Sequence, residues 1–204
     1  MEQTKMIRTA EKLEVFFKVM EKVTVIAAVV MVGVMAVLTA VNAVNPDAVI
    51  GEDFHMVDIG PITIELAEEY APDNGTVLRY AWIYVVLGLA AAAVIRYAFG
   101  QIRRVLQPMK EGDPFRPEVS DHIRRLGYAA LVLGVVQNLA RVVETANVVR
   151  HFGLDRLASG GKIRSVTVNY TFDLSFLVVF FVLLLMSYIF RYGAELQQLS
   201  DETL

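Results

Sequence analysis

The sequence predicts a mainly α protein, a four-helix transmembrane bundle with a small extracytoplasmic β-rich cap drawn from loops 1-2 and 3-4. Three observations predict it. Hydrophobic residues make up 55% of the 204 residues against 20% charged, and mean hydropathy is +0.49, above what one soluble core of this size carries. The apolar residues are bunched into four runs, each close to the twenty or so that cross a ~30 Å hydrocarbon layer. Lysine and arginine gather in some of the connecting segments and are nearly missing from another, as expected of a chain with a fixed orientation in lipid.

The elements follow in order. Residues 1–22 read as an amphipathic cytoplasmic helix, with Met6, Ala10, Leu13, Phe17 and Met20 on one stripe and Lys5, Lys12, Lys18 and Lys22 elsewhere around it. Basic residues beside an apolar stripe suit a membrane surface, with a partner helix as the alternative cover. Residues 23–44 form the clearest span, 22 residues without a charge. A cleavable signal peptide is the competing reading, but its apolar region is normally about 7–15 residues. The second span, 80–99, is bracketed by Tyr80, Trp82 and Tyr84 at one end and by Tyr97 and Phe99 at the other, and Arg96 sits where it can snorkel. The third, 126–144, is the least hydrophobic. The fourth, 172–190, is aromatic and aliphatic after Asp173.

Charge then assigns the sides. Residues 1–22 hold five bases, and the 100–125 connection holds Arg103, Arg104, Lys110, Arg116, Arg124 and Arg125. The 45–79 connection has Arg79 alone against eight acids. The positive-inside rule therefore places both termini in the cytoplasm. The 145–171 connection dissents with Arg150, Arg156, Lys162 and Arg164, a positive loop that an acidic one would attract. Both outer loops carry strand signals: residues 166–172 (VTVNYTF) alternate apolar and polar, and 56–66 (MVDIGPITIEL) are two β-prone pieces broken at Gly60-Pro61. These two loops are the expected cap.

Polar residues inside a span are costly, so Gln137, Arg141 and Glu144 on the third are the first place to look for chemistry. Their spacing puts them on one face, continued by Ala130 and Gly134, and that face is expected to point into the bundle. One reading makes it a polar pathway; the other anchors it near the outer interface. No cysteine is present, which removes disulfides and thiolate metal sites. His55, His122 and His151 have no metal-ligand spacing, and Gly160-Gly161 lacks the lysine and hydroxyl of a phosphate loop. No catalytic set, cofactor or metal is expected, and the dispersed basic residues do not form a nucleic-acid-binding module.

On the cytoplasmic side, residues 111–127 begin with a turn at Gly112-Asp113-Pro114 and enter a helix at Pro117, with Phe115 pinned beside its start and Glu118 favouring its positive end. Residues 191–204 continue the last span as a C-terminal helix in which Leu196 and Leu199 stay apolar outside lipid and call for cover. Gly88 and Ala92 form a small-residue face that permits close helix packing within the chain or in a homo-oligomer.

The stretch 112–127 (GDPFRPEVSDHIRRLG), together with the ending 189–204 (IFRYGAELQQLSDETL), resembles the bacterial domain of unknown function 2975 family of four-span integral membrane proteins. The resemblance makes Gly112, Pro114, Phe115, Gly193, Leu196, Gln197, Asp201 and Leu204 family-defining positions and brings no catalytic residue with them. It also implies a bacterial inner membrane as location and a helix-turn-helix regulator as neighbour. The function expected is a non-enzymatic signalling or regulatory protein that docks a cytoplasmic transcription regulator through these residues and Leu199. The alternative is a small transporter or channel subunit that uses the Gln137, Arg141 and Glu144 stripe.

Overall fold

The structure is a computed structural model and describes residues 2–45, 56–59, 62–65, 74–151 and 172–202. Four helices are long and apolar enough to cross a membrane, so the chain is a multi-pass membrane protein, mainly α. They are α1 (Glu2–Val44), α2 (Asn74–Lys110), α3 (Pro117–His151) and α4 (Ser175–Glu202), with a hairpin of β1 (Met56–Ile59) and β2 (Ile62–Glu65) between the first two. All four helices outrun their apolar runs, because nothing in the backbone changes where the solvent does.

α1 shows this most clearly. The amphipathic segment and the first span, expected as two elements, are one helix of 43 residues, about 65 Å at 1.5 Å per residue. No proline and one glycine, Gly33, occur in it. Thr9, Thr24 and Thr39 each donate their hydroxyl to the carbonyl four residues back, at 2.9, 2.9 and 2.7 Å, so none needs a partner in lipid. The helix stops at Asn45, the residue before Pro46, where the ring of the proline disfavours a helical conformation.

The strands expected in the first connection are present. β1 and β2 pair antiparallel with Met56 opposite Glu65 and Ile59 opposite Ile62. The larger cap is not supported: among the described residues β-structure is this hairpin alone, and residues 166–171 of the second expected strand lie outside them. Two four-residue strands bury too little to make an independent layer.

The chain divides into two compact units. The first comprises Met1–Ala28, Leu89–Gln137 and Asp173–Leu204, and thus parts of all four helices. Its interior is small: Val119 is fully buried, and Ala10, Leu106, Ile123, Ala129 and Ala194 are nearly so. Small residues let the helices approach, and at Gly127 the Phe180 ring and Leu183 lie where a side chain would make van der Waals contact. The buried Ser187 hydroxyl donates to the Ser120 carbonyl at 2.8 Å and ties α4 to the start of α3. Asp173 opens α4 by accepting the Ser175 N–H at 2.9 Å, which makes it a helix cap.

The second unit comprises Val29–Gly88 and Asn138–Phe172. Its core is Met35, Leu78 and Val85, with Met31, Val32, Leu38, Ala81 and Trp82 packed around them. Trp82, expected in an interfacial belt, also reaches α1: its Nε1–H donates to Thr39 Oγ1 at 3.0 Å. Gly88 spends its missing side chain within the chain, where Met31 fills the space beside it. Elsewhere the helices turn large apolar side chains outward, Val29 at 66%, Val178 at 65% and Phe181 at 61% exposure, as lipid-facing surfaces do.

Candidate functional site

The basic end of the first unit is built on a helix stop. α2 closes with Asp113 N–H donating to the Pro108 carbonyl at 3.0 Å and Gly112 N–H to the Met109 carbonyl at 3.3 Å, with Gly112 at φ 82°. That pair of bonds is a Schellman stop, and it needs a residue free to adopt the left-handed conformation. Pro117 then starts α3, as the sequence predicts, where its missing N–H costs nothing.

The turn between them is clasped to α4. The Asp113 carboxylate accepts from Arg116 Nε at 3.0 Å through one oxygen and from Gln197 Nε2 at 3.3 Å through the other. Arg116 also reaches Glu111 at 2.6 Å, and these two carboxylates raise the pKa of its guanidinium further, through Asp113 first. Beside this polar link the Phe115 ring packs on Phe190, centroids 5.7 Å apart, and lies over Gly193. A Cβ on Gly193 would stand 2.7 Å from Phe115 Cδ1, so the ring fits because that side chain is missing.

Of the residues expected to dock a partner, Phe115 and Gly193 therefore meet each other, Gly112 closes the same turn, and Gln197 reaches that turn at Asp113. Pro114 sits half-buried in the same turn. Leu196 and Leu199 point away, 49% and 60% exposed. Asp201 belongs to the last turn of α4, and Leu204 lies outside the described residues. Next to the clasp, Pro117, Ser120, Asp121, Arg124, Arg191 and Glu195 line an open cleft of about 410 Å³. Two ion pairs, Arg124 with Asp121 and Arg191 with Glu195, balance its charge.

The polar part of the intramembrane stripe, Gln137, Arg141 and Glu144, is exposed in the chain, and on the expected inner face it is Gly134 that is buried, under the Phe176 ring. Small residues win the crowded positions because a polar side chain there needs both space and partners.

One set of contacts went unread in the sequence. Glu14 and Glu21 lie seven apart on α1, and Arg96, Arg103 and Lys110 lie seven apart on α2. Glu14 pairs with Lys110, and Glu21 pairs with Arg103 at 3.0 Å and with Arg96 at 3.4 Å. Matching spacing of opposite charges was the available signal. With Phe17 against Phe99, these pairs cover part of the stripe of α1 from within the chain, while Leu13 stays 40% exposed. Ala10 on that stripe is 3% exposed.

Among the described residues, no three histidine, aspartate or glutamate side chains gather as a metal site. His122 donates from Nδ1 to Gln101 Oε1 at 2.9 Å, linking α3 to α2; His55 lies outside the described residues. The family model described as protein of unknown function (DUF2975) matches residues 62–204. No curated protein and no solved structure matches the chain.

Proposed function

The chain belongs to the family of proteins of unknown function DUF2975, and from that premise we propose that it is a non-enzymatic membrane protein whose C-terminal helix holds a cytoplasmic protein partner. The observation that carries this reading is the exposure of Leu196 and Leu199 on a helix whose other side is clasped. Two leucines in water cost roughly 1.5–3 kcal/mol each relative to burial, so a partner surface gains by covering them. The clasp at Phe115, Gly193 and Gln197 fixes the helix beforehand, which lowers the ordering cost of binding. The bases gathered in residues 1–22 and in the 100–125 connection support the cytoplasmic side. A helix-turn-helix transcription regulator is the partner class, and signalling from the membrane to that regulator is the role.

A photo-crosslinking side chain at Leu199, used in intact membranes, tests it. Capture of a soluble cytoplasmic protein, lost in Leu196→Glu while the abundance of the membrane protein holds, is the expected result. Crosslinks to lipid alone would overturn the reading.

A further inference from the structure

Seven arginines lie in the first unit beyond residue 88, and they fall into two sets. Arg96 and Arg103 reach Glu21, Arg116 reaches Glu111 and Asp113, Arg124 reaches Asp121, and Arg191 reaches Glu195. Among the described residues, Arg104 and Arg125 reach no carboxylate. Gln101 of α2 and His122 of α3 are hydrogen-bonded at 2.9 Å, Arg104 lies one turn beyond Gln101 and Arg125 one turn beyond His122, and both guanidiniums act electrostatically on the His122 ring. The acids acting on the same ring are Asp121, already held by Arg124, and Glu118 at the start of α3. Arg104 and Arg125 thus face Glu118 alone, and one positive charge is left in excess there.

On the Arg125 side this end opens into a groove. Ala93, Val94 and Tyr97 of α2 and Arg125, Tyr128 and Val132 of α3 line about 360 Å³ of open space between the helices. Arg125 stands at the edge of the third span, and Val132 and Ala93 lie about two turns further into the lipid-facing region. The walls are apolar except at the arginine end, and Tyr97 and Tyr128 are half-exposed beside it, as aromatic side chains are at headgroup level.

We propose that this groove holds one anionic phospholipid from the leaflet at the basic end, its phosphate against Arg104 and Arg125 and one acyl chain along Ala93, Val94 and Val132. A guanidinium offers planar paired donors to phosphate oxygens, and basic pockets between membrane helices select anionic headgroups. A soluble phosphate gains nothing from the apolar walls. A zwitterionic lipid brings its own cation to a place that already has two. This site goes beyond the docking reading and does not depend on it.

The test uses the purified full chain, with thermal unfolding followed in phosphatidylcholine and on titration with phosphatidylglycerol. The glycerol lipid is expected to protect more strongly, and Arg104→Gln with Arg125→Gln lowers its apparent affinity about 10-fold or more. Arg96→Gln with Arg124→Gln, the same change in net charge, keeps the preference. Val132→Trp, at an exposed position, weakens lipid protection by filling the groove while both arginines remain. Equal protection by the two lipids, an unchanged preference in the Arg104 and Arg125 variant, an equal loss in the control, or equal protection by inorganic phosphate alone each overturns the proposal.

Discussion

The Phe115 ring occupies the space that a side chain on Gly193 would take, with Cδ1 standing 2.7 Å from where that Cβ would be. Two segments 78 positions apart in the chain thus meet through an aromatic ring and a missing methyl group. Gly193 is in the middle of α4, where alanine is the better helix former by about 1 kcal/mol. Its presence there is explained by packing, not by propensity.

Gly193→Ala is accordingly expected to destabilise the chain by about 1 kcal/mol, the low end of the overpacking range, because Phe115 is 40% exposed and its ring has room to swing out. In a Phe115→Ala background the same substitution turns mildly stabilising. Unfolding curves of the four proteins in detergent check this reversal of sign; a destabilisation of equal size in both backgrounds places the cost elsewhere.

Gly112 is a different case, since its φ of 82° excludes ordinary side chains whatever the space. Gly112→Val is expected to cost about 1–2 kcal/mol and Gly112→Asn clearly less, because asparagine tolerates the left-handed region. Gln197 should also lose its hold on Asp113, so limited proteolysis near residue 113 should speed up in the valine variant first.

The spans were legible because a run such as 23–44 contains no charge at all, and the start of α3 was legible because Pro117 suits only a first turn. The hairpin followed from two β-prone pieces split at Gly60-Pro61. What could not be read was where helices stop in water: α1 carries no backbone signal between its two halves, so the change at residue 22 is one of solvent. The clasp was half legible. Phe115 and Gly193 were singled out, but a sequence does not say whether such residues face a partner or each other.

The seven-residue ladder of charges between α1 and α2 gives a third expectation. Glu21 is 23% exposed at its side chain and Arg103 33%, so their interaction is only partly screened, whereas Arg96 at 58% adds little. Glu21→Gln should cost about 1 kcal/mol, and Glu21→Arg combined with Arg103→Glu should recover part of what either loses alone. Measured as a double-mutant cycle, this coupling should weaken as salt is raised from about 0.1 to about 1 M.

Trp82 and Thr39 supply an internal reporter, because the chain has one tryptophan. Thr39 Oγ1 donates to the Met35 carbonyl at 2.7 Å and so presents its lone pairs to Trp82 Nε1–H at 3.0 Å. Inter-helix hydrogen bonds of this kind couple by about 0.6 kcal/mol in membrane proteins, too little to hold two helices but enough to fix a side chain. The core of Met35, Leu78 and Val85 therefore keeps α1 and α2 together in Thr39→Val, and stability should fall by about 1 kcal/mol or less. The fluorescence should respond more plainly. An indole N–H without its acceptor relaxes less in the excited state, so the emission of Thr39→Val should move to shorter wavelength, while Thr39→Ser stays with the parent. A shift to longer wavelength would mean that water reaches Nε1 in place of the hydroxyl, and that the second unit is wetter around Trp82 than its packing against Met35 and Leu78 implies.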